Sequence, residues 1–425
     1  MKFTSRLWFV GAWWLVPSMV ALGVWYVSST HERDGGYALS SAANAAQSTA
    51  LTYGLAGAAG ALASARLAAA GWLDAPIARS RYIMLTQLVW TIVLAAGSAV
   101  AITFAWGMAR DGALAWPGWQ IPLSSLALLV AAVSVGVLLG RYLRPWLASA
   151  TSLTLAYVVL GFPPALEPLW LRHLVGVSGS CCLIDQTVAP NVVFATTALA
   201  LAVSVAAMLL ATPGPARYGG PPLAPRLTSA VAAVSVAAGV AVGAVSDFGP
   251  DPVIPRSGNP ECVSPNSVPT ICVWPEHRAA VRDYTPMLAA VARIEARAGL
   301  TPTRTFSEQP ARQFDQIALY LRSRSDERTR LDDVVNALAP GLDKCLDRNG
   351  DTVGTSGGSD LEGLILLREW WAEQLALELH GASDNKRVTK TALAHLSSTE
   401  QSKWLNETTY ARKACLPSPP PGEST

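Results

Sequence analysis

Ile121 to Gly140 read IPLSSLALLVAAVSVGVLLG, a run with no ionisable side chain. At about 1.5 Å of rise per residue, a helix of this length spans roughly 30 Å, the thickness of a bilayer's hydrocarbon core. A surface helix of a soluble protein turns a polar face to water, and this run has none to turn. It predicts a transmembrane helix, and the chain around it decides how many others accompany it.

Six further apolar runs flank it: Leu7 to Ser28, Ala45 to Ala65, Tyr82 to Trp106, Trp146 to Phe162, Val192 to Leu210 and Leu227 to Val245. The whole chain of 425 residues is 51% hydrophobic and only 15% charged, against about a quarter charged in an ordinary soluble domain. The first run follows a basic start, Met1 to Arg6, but it is too long for a signal sequence and lacks a small-residue cleavage site, which favours an uncleaved span. The run from Trp146 to Phe162 is short and meets Pro163 and Pro164, so a tilted, broken or re-entrant course stays open beside a full crossing. Net charge is +2 with basic residues scattered, which excludes a nucleic-acid footprint.

Orientation follows from cations near the span ends. With the N-terminus cytoplasmic, the inner side collects Lys2, Arg6, Arg66, Arg79, Arg81, Arg141, Arg144, Arg217 and Arg226, while the outer loops before the last span hold Arg33, Arg110 and Arg172. Seven crossings place everything beyond Val245 outside the cytoplasm. Cysteine usage agrees, because Cys181, Cys182, Cys262, Cys272, Cys345 and Cys415 all fall in outward-facing segments, where disulfides persist. Cys262 and Cys272 flank a Pro-rich turn and are placed to close a short loop. Cys345 and Cys415 would then staple the domain that follows, with other pairings left open. No C-x-x-C pair points to a metal.

The expected fold is therefore all-α: a polytopic membrane domain over 1–246, a Pro-rich linker over 247–275, an extracytoplasmic helical domain over 276–415 and a disordered or stalk-like tail over 416–425. In the outer domain, helical periodicity and breakers predict helices at Glu276 to Ala298, Gln309 to Ser323, Glu327 to Ala339, Asp360 to His380 and Ser398 to Lys413. Within the membrane part, Gly54, Gly57 and Gly60 and the pair Gly239 and Gly243 are candidates for close helix packing.

The spans are almost free of ionisable residues, which argues against an ion-coupled carrier, since a coupling charge has to bind along the path. No G-x-x-x-x-G-K-[ST] occurs, so the chain does not cradle nucleotide phosphates by itself. Glu276, His277, Glu378 and His380 do not form H-E-x-x-H; Glu276 in a first turn and His380 in a last turn read as complements of helix dipoles. No enzyme site, cofactor or metal is expected.

Between the second and third runs, Arg66 to Leu88 read RLAAAGWLDAPIARSRYIMLTQL. Pro76 breaks a helix there, and Arg79 and Arg81 hold the next span at the inner headgroups. The segment resembles the cytoplasmic coupling loop of ABC transporter permeases of the six-helix exporter class, with Trp72, Leu73, Asp74, Ala75, Pro76, Arg79 and Arg81 as the matching residues. The resemblance covers about residues 1–210. It implies a six-helix permease bundle driven by a separate P-loop ATPase, acting as a homodimer or with a second permease subunit. Here a seventh span exports an added domain, as in permease-like proteins of high-GC Gram-positive bacteria whose outer domains begin with a similar CVWPEH, Cys272 to His277 in this chain. The rival expectations are a membrane-anchored sensor or interaction protein and an outward-facing hydrolase.

Overall fold

A computed structural model describes residues 12–30, 36–71, 81–113, 115–176, 181–212, 223–249, 251–265, 268–300, 302–309, 316–322, 325–339, 359–380, 399–400 and 403–405. The chain is mostly helical with a small amount of sheet, and it divides into two compact units, Met1–Arg256 and Ser257–Thr425.

In the first unit, helices α1 (Ala12–Thr30), α2 (Ala38–Ala69), α3 (Arg81–Asp111), α4 (Gln120–Tyr142), α5 (Pro145–Gly161), α6 (Pro190–Ala211) and α7 (Leu223–Val245) each lie on one of the seven apolar runs. Among the described residues, four stretches are long and apolar enough to cross a membrane: Tyr82–Asp111, Gln120–Tyr142, Pro190–Ala211 and Ala224–Val245. α5 is a shorter apolar helix of 17 residues. It ends ahead of Pro163 and Pro164, and two 3-10 turns, Pro163–Ala165 and Leu169–Leu174, carry the chain onward. Pro145 and Pro190 open α5 and α6 at their first turns, where a missing N–H costs nothing.

α2 is the hub. Its Ala, Gly, Ser and Thr side chains are buried around most of its circumference, and small side chains let neighbouring backbones close in. A Cβ on Gly60 would lie 2.8 Å from the Val133 carbonyl oxygen of α4. The fit is reciprocal, because Cβ atoms on Gly136 and Gly140 of α4 would collide with the carbonyls of Gly57 and Ala61. Gly239 and Gly243 of α7 behave differently: a Cβ on either meets nothing within 4 Å. Hydroxyls in these apolar helices mostly bond back to their own turn, as Ser48 Oγ does to the Ala45 carbonyl at 2.6 Å and Ser124 Oγ to Ile121 at 3.0 Å.

Strands β1 (Gln186–Val188) and β2 (Val253–Pro255) pair antiparallel beside the start of α2. The Tyr37 hydroxyl donates to the Gln186 carbonyl at 2.8 Å, and the Arg256 guanidinium sits 5.1 Å over the Tyr37 ring. The 247–275 stretch, expected as a linker, is thus divided: β2 belongs to the first unit, and the residues from Ser257 onward to the second.

The second unit departs from the all-helical expectation. Strands β3 (Glu261–Val263), β4 (Thr270–Val273), β5 (Thr305–Ser307) and β6 (Gln316–Ala318) form one sheet in that order, with β3 antiparallel to β4 and the other two pairings parallel. β4, in the stretch expected as a Pro-rich linker, is central, because the β-branched TICV fits between Pro269 and Pro275 without a proline inside it. The helix expected over Gln309 to Ser323 is replaced in its described part by β6 and the extended residues after it. There Ile317, Leu319 and Leu321 are buried alternately, a period of two.

Helices α8 (Val281–Ala298), α9 (Glu327–Leu338) and α10 (Ser359–His380) complete this unit. The helix expected from Glu276 begins as a 3-10 turn, Pro275–His277, before α8. α8 buries Tyr284, Leu288, Val291 and Ile294 at helical spacing and stops at Gly299 with a left-handed φ of 66°. Asp326 caps α9 by accepting from the Thr329 N–H. Ile271, Phe306, Leu319, Val335, Trp370 and Leu375 join the α8 face in one core.

Candidate functional site

The first unit contains a cavity of about 690 Å³ between α2, α4, α5 and the turn Leu169–Leu174, with Tyr26 of α1 also on its wall. That volume is within the range of small-molecule and cofactor sites. Its walls come from corresponding ends of three helices: Ala46 to Gly54 in the first half of α2, Ile121 to Leu128 in the first turns of α4, and Leu153 to Gly161 in the last half of α5. Leu51, Leu153 and Tyr157 are exposed along it, so the cavity is a groove rather than a sealed void. Polar atoms line one part of it, with Ser124 and Ser125 on α4 facing Tyr53 on α2, whose hydroxyl bonds the side chains of Ser125 and Thr49. Among the described lining residues, Arg172 is the one that carries a charge. A more open groove of about 610 Å³ runs along α1 and α3, past Trp13, Tyr82 and Trp90.

Next to Arg172, His173 is fully buried, and its Nε2–H donates to the Gly249 carbonyl at 2.8 Å. Burial holds this imidazole below its ordinary pKa, against the opposing pull of that hydrogen bond. The Thr196 hydroxyl donates to the His173 carbonyl at 2.8 Å, tying the turn to α6.

In the second unit the concentrated polar chemistry is around Glu308, which is fully buried just after β5. Its carboxylate accepts from the backbone N–H of Trp274 at 2.8 Å and of Leu321 at 3.0 Å, and from Nδ1 of the buried His277. One carboxylate thereby joins the ends of β4 and β6 and the turn before α8. The arrangement braces the sheet, and the burial of both side chains sets it apart from a solvent-facing acid and base. Tyr284 donates to Asp333 at 2.8 Å and accepts from the Arg322 N–H at 3.1 Å; burial, then the charge of Asp333, holds its phenol above the ordinary value.

The residues singled out from the sequence are placed as follows. Trp72, Leu73, Asp74, Pro76 and Arg79 lie outside the described residues, and Arg81 is the first residue of α3. Cys262 and Cys272 are direct partners across β3 and β4, with their sulfurs at disulfide distance; Cys345 and Cys415 lie outside the described residues. Cys181 and Cys182 are adjacent in sequence and both buried. Glu378 receives Arg293 Nε at 2.6 Å together with Arg297 Nη2, and these two arginines, Arg293 first, hold its carboxyl below the usual range. His380, in the last turn of α10, lies 3.6 Å from Glu327. Among the described residues no group of three His, Cys, Asp or Glu is placed to hold a metal.

The groove was not among the sequence candidates. Arg172 counted only as an outer-loop cation, and the signal that points to the rest is the clustering of Gln47, Ser48, Ser124, Ser125 and Thr154 within otherwise apolar runs. The family model of a domain of unknown function (DUF7224) matches residues 271–415, from β4 onward within the second unit. No curated protein and no solved structure matches the chain.

Proposed function

We propose that the chain is the membrane-spanning permease subunit of an ABC-type exporter, with a separate P-loop ATPase supplying the energy. In this reading all seven apolar helices cross the bilayer, the N-terminus is cytoplasmic, and the second unit lies outside as a disulfide-stabilised domain. The subunit works as a homodimer or beside a second permease subunit, because a pathway in this class forms between two halves. The supporting observation is the groove: a sizeable cavity within tightly packed apolar helices whose described lining carries no carboxylate, lysine or histidine. A proton-driven carrier needs an ionisable group to hold the coupling proton, so a groove lined this way favours a transporter that takes its energy from a partner. The resemblance of Arg66 to Leu88 to a coupling loop names that partner, and Trp72 and Asp74 are the residues for it to grip.

The test is copurification of the native protein. A P-loop ATPase is expected to come with it. Replacing Trp72 and Asp74 together by alanine is expected to release the ATPase while leaving insertion near normal, since a buried aromatic anchor at an interface is worth about 2 kcal/mol or more. Full ATPase association by the double variant, or no ATPase with the wild type, overturns the reading.

A family match confined to 271–415 favours one second reading, a membrane-anchored sensor or interaction protein whose outer unit does the binding. It expects a partner held by that unit, and no ATPase.

A further inference from the structure

We propose that the groove between α2, α4 and α5 binds an anionic phospholipid from the bilayer, with the headgroup phosphate on Arg172 and an acyl chain along Leu51, Leu153 and Tyr157. The inference rests on these helices lying in a membrane, and it supplies the ligand class that the permease reading leaves open.

Two properties of the groove lead to it. The first is shape. The wall residues Leu51, Leu153 and Tyr157 are exposed, and so is Gln47 nearer the start of α2. The groove is therefore open along the bundle, where a chain already dissolved in the bilayer can enter sideways.

The second is charge. One end of the groove is formed by the 3-10 turn that carries Arg172, and no acidic side chain is among the described residues lining it. A guanidinium presents a fixed charge and a planar fork of N–H donors, which suits phosphate oxygens better than a neutral or cationic headgroup. The lining thus combines one cationic group with aliphatic and aromatic walls, the two chemistries of an anionic phospholipid. In the proposed orientation the charged end lies toward the outer leaflet.

The full-length protein in nanodiscs of phosphatidylcholine with a minor share of phosphatidylglycerol tests this by native mass spectrometry of the lipids retained. The wild type is expected to retain phosphatidylglycerol well above its bulk share. Arg172→Gln is expected to bring retention back by about tenfold or more, the loss typical of a charged hydrogen bond, while Arg172→Lys keeps most of it. Leu153→Trp, at an exposed position on the wall, should reduce retention of both lipids without touching the charge. Wild-type retention at the bulk ratio overturns the proposal, as does unchanged enrichment in Arg172→Gln. Scoring the same preparations for a copurifying ATPase separates the two readings. ATPase without lipid enrichment removes the lipid site alone, whereas enrichment without ATPase removes the permease reading and leaves the site.

Discussion

Glu308 shows how much one side chain carries in the second unit. It comes two residues after Phe306, and nothing local in TFSEQP marks it as buried. Its three donors arrive from residues 274, 277 and 321, so its role exists only once β4, β5 and β6 are side by side. Glu308→Leu keeps the volume apolar but leaves the Trp274 and Leu321 N–H groups buried without their acceptor. Each orphaned donor costs about 1–3 kcal/mol. The expected outcome is a second unit destabilised by several kcal/mol, read as a lower denaturation midpoint by the fluorescence of Trp274, Trp370 and Trp371; a midpoint within experimental error of wild type would show that the carboxylate braces nothing. His277 and Glu378, by contrast, were visible as candidates in the sequence. The sequence offers neither in a catalytic or metal-binding pattern, and the fold uses both to hold elements together.

At the scale of elements, apolar runs and breakers identified the helices, because a helix that spans a bilayer satisfies its own backbone and its pattern is local. Strands of three or four residues leave a much weaker trace. The segment holding β6 predicts a helix because an alternation of only three apolar positions, Ile317, Leu319 and Leu321, is too short to mark a strand. Glycine shows the same divide. Gly57 and Gly60 on one side and Gly239 and Gly243 on the other looked alike in the sequence, yet only the first pair has a backbone pressed against it. Gly136→Leu is therefore expected to force α2 and α4 apart and cost at least about 1–3 kcal/mol, as overpacking does. Gly239→Leu should be near neutral for the monomer. Thermal unfolding of the two variants in one detergent checks this, and equal losses would mean that α7 packs where the structure leaves it open.

For the whole molecule, the decisive prediction is topological. A cysteine placed at Ser80 should react with an impermeant thiol reagent only after the cells are opened, whereas one at Ser356 should react in intact cells, because the seven crossings proposed above would put them on opposite faces. Labelling of both in intact cells would remove a crossing and misplace the second unit. What the sequence alone determined is the membrane character of the first unit and the positions of its helices, since hydropathy over some twenty residues is a property of the chain itself. It also marked Cys262 and Cys272, whose closeness follows from ten residues of separation around a Pro-rich turn. Tertiary structure alone decided the rest: which glycines are clamped, that the Pro-rich stretch supplies strands to both units, that Glu308 is buried, and that Arg172 closes one end of a groove. Each depends on residues from distant parts of the chain meeting, and the free energy of such a meeting is written in no single segment.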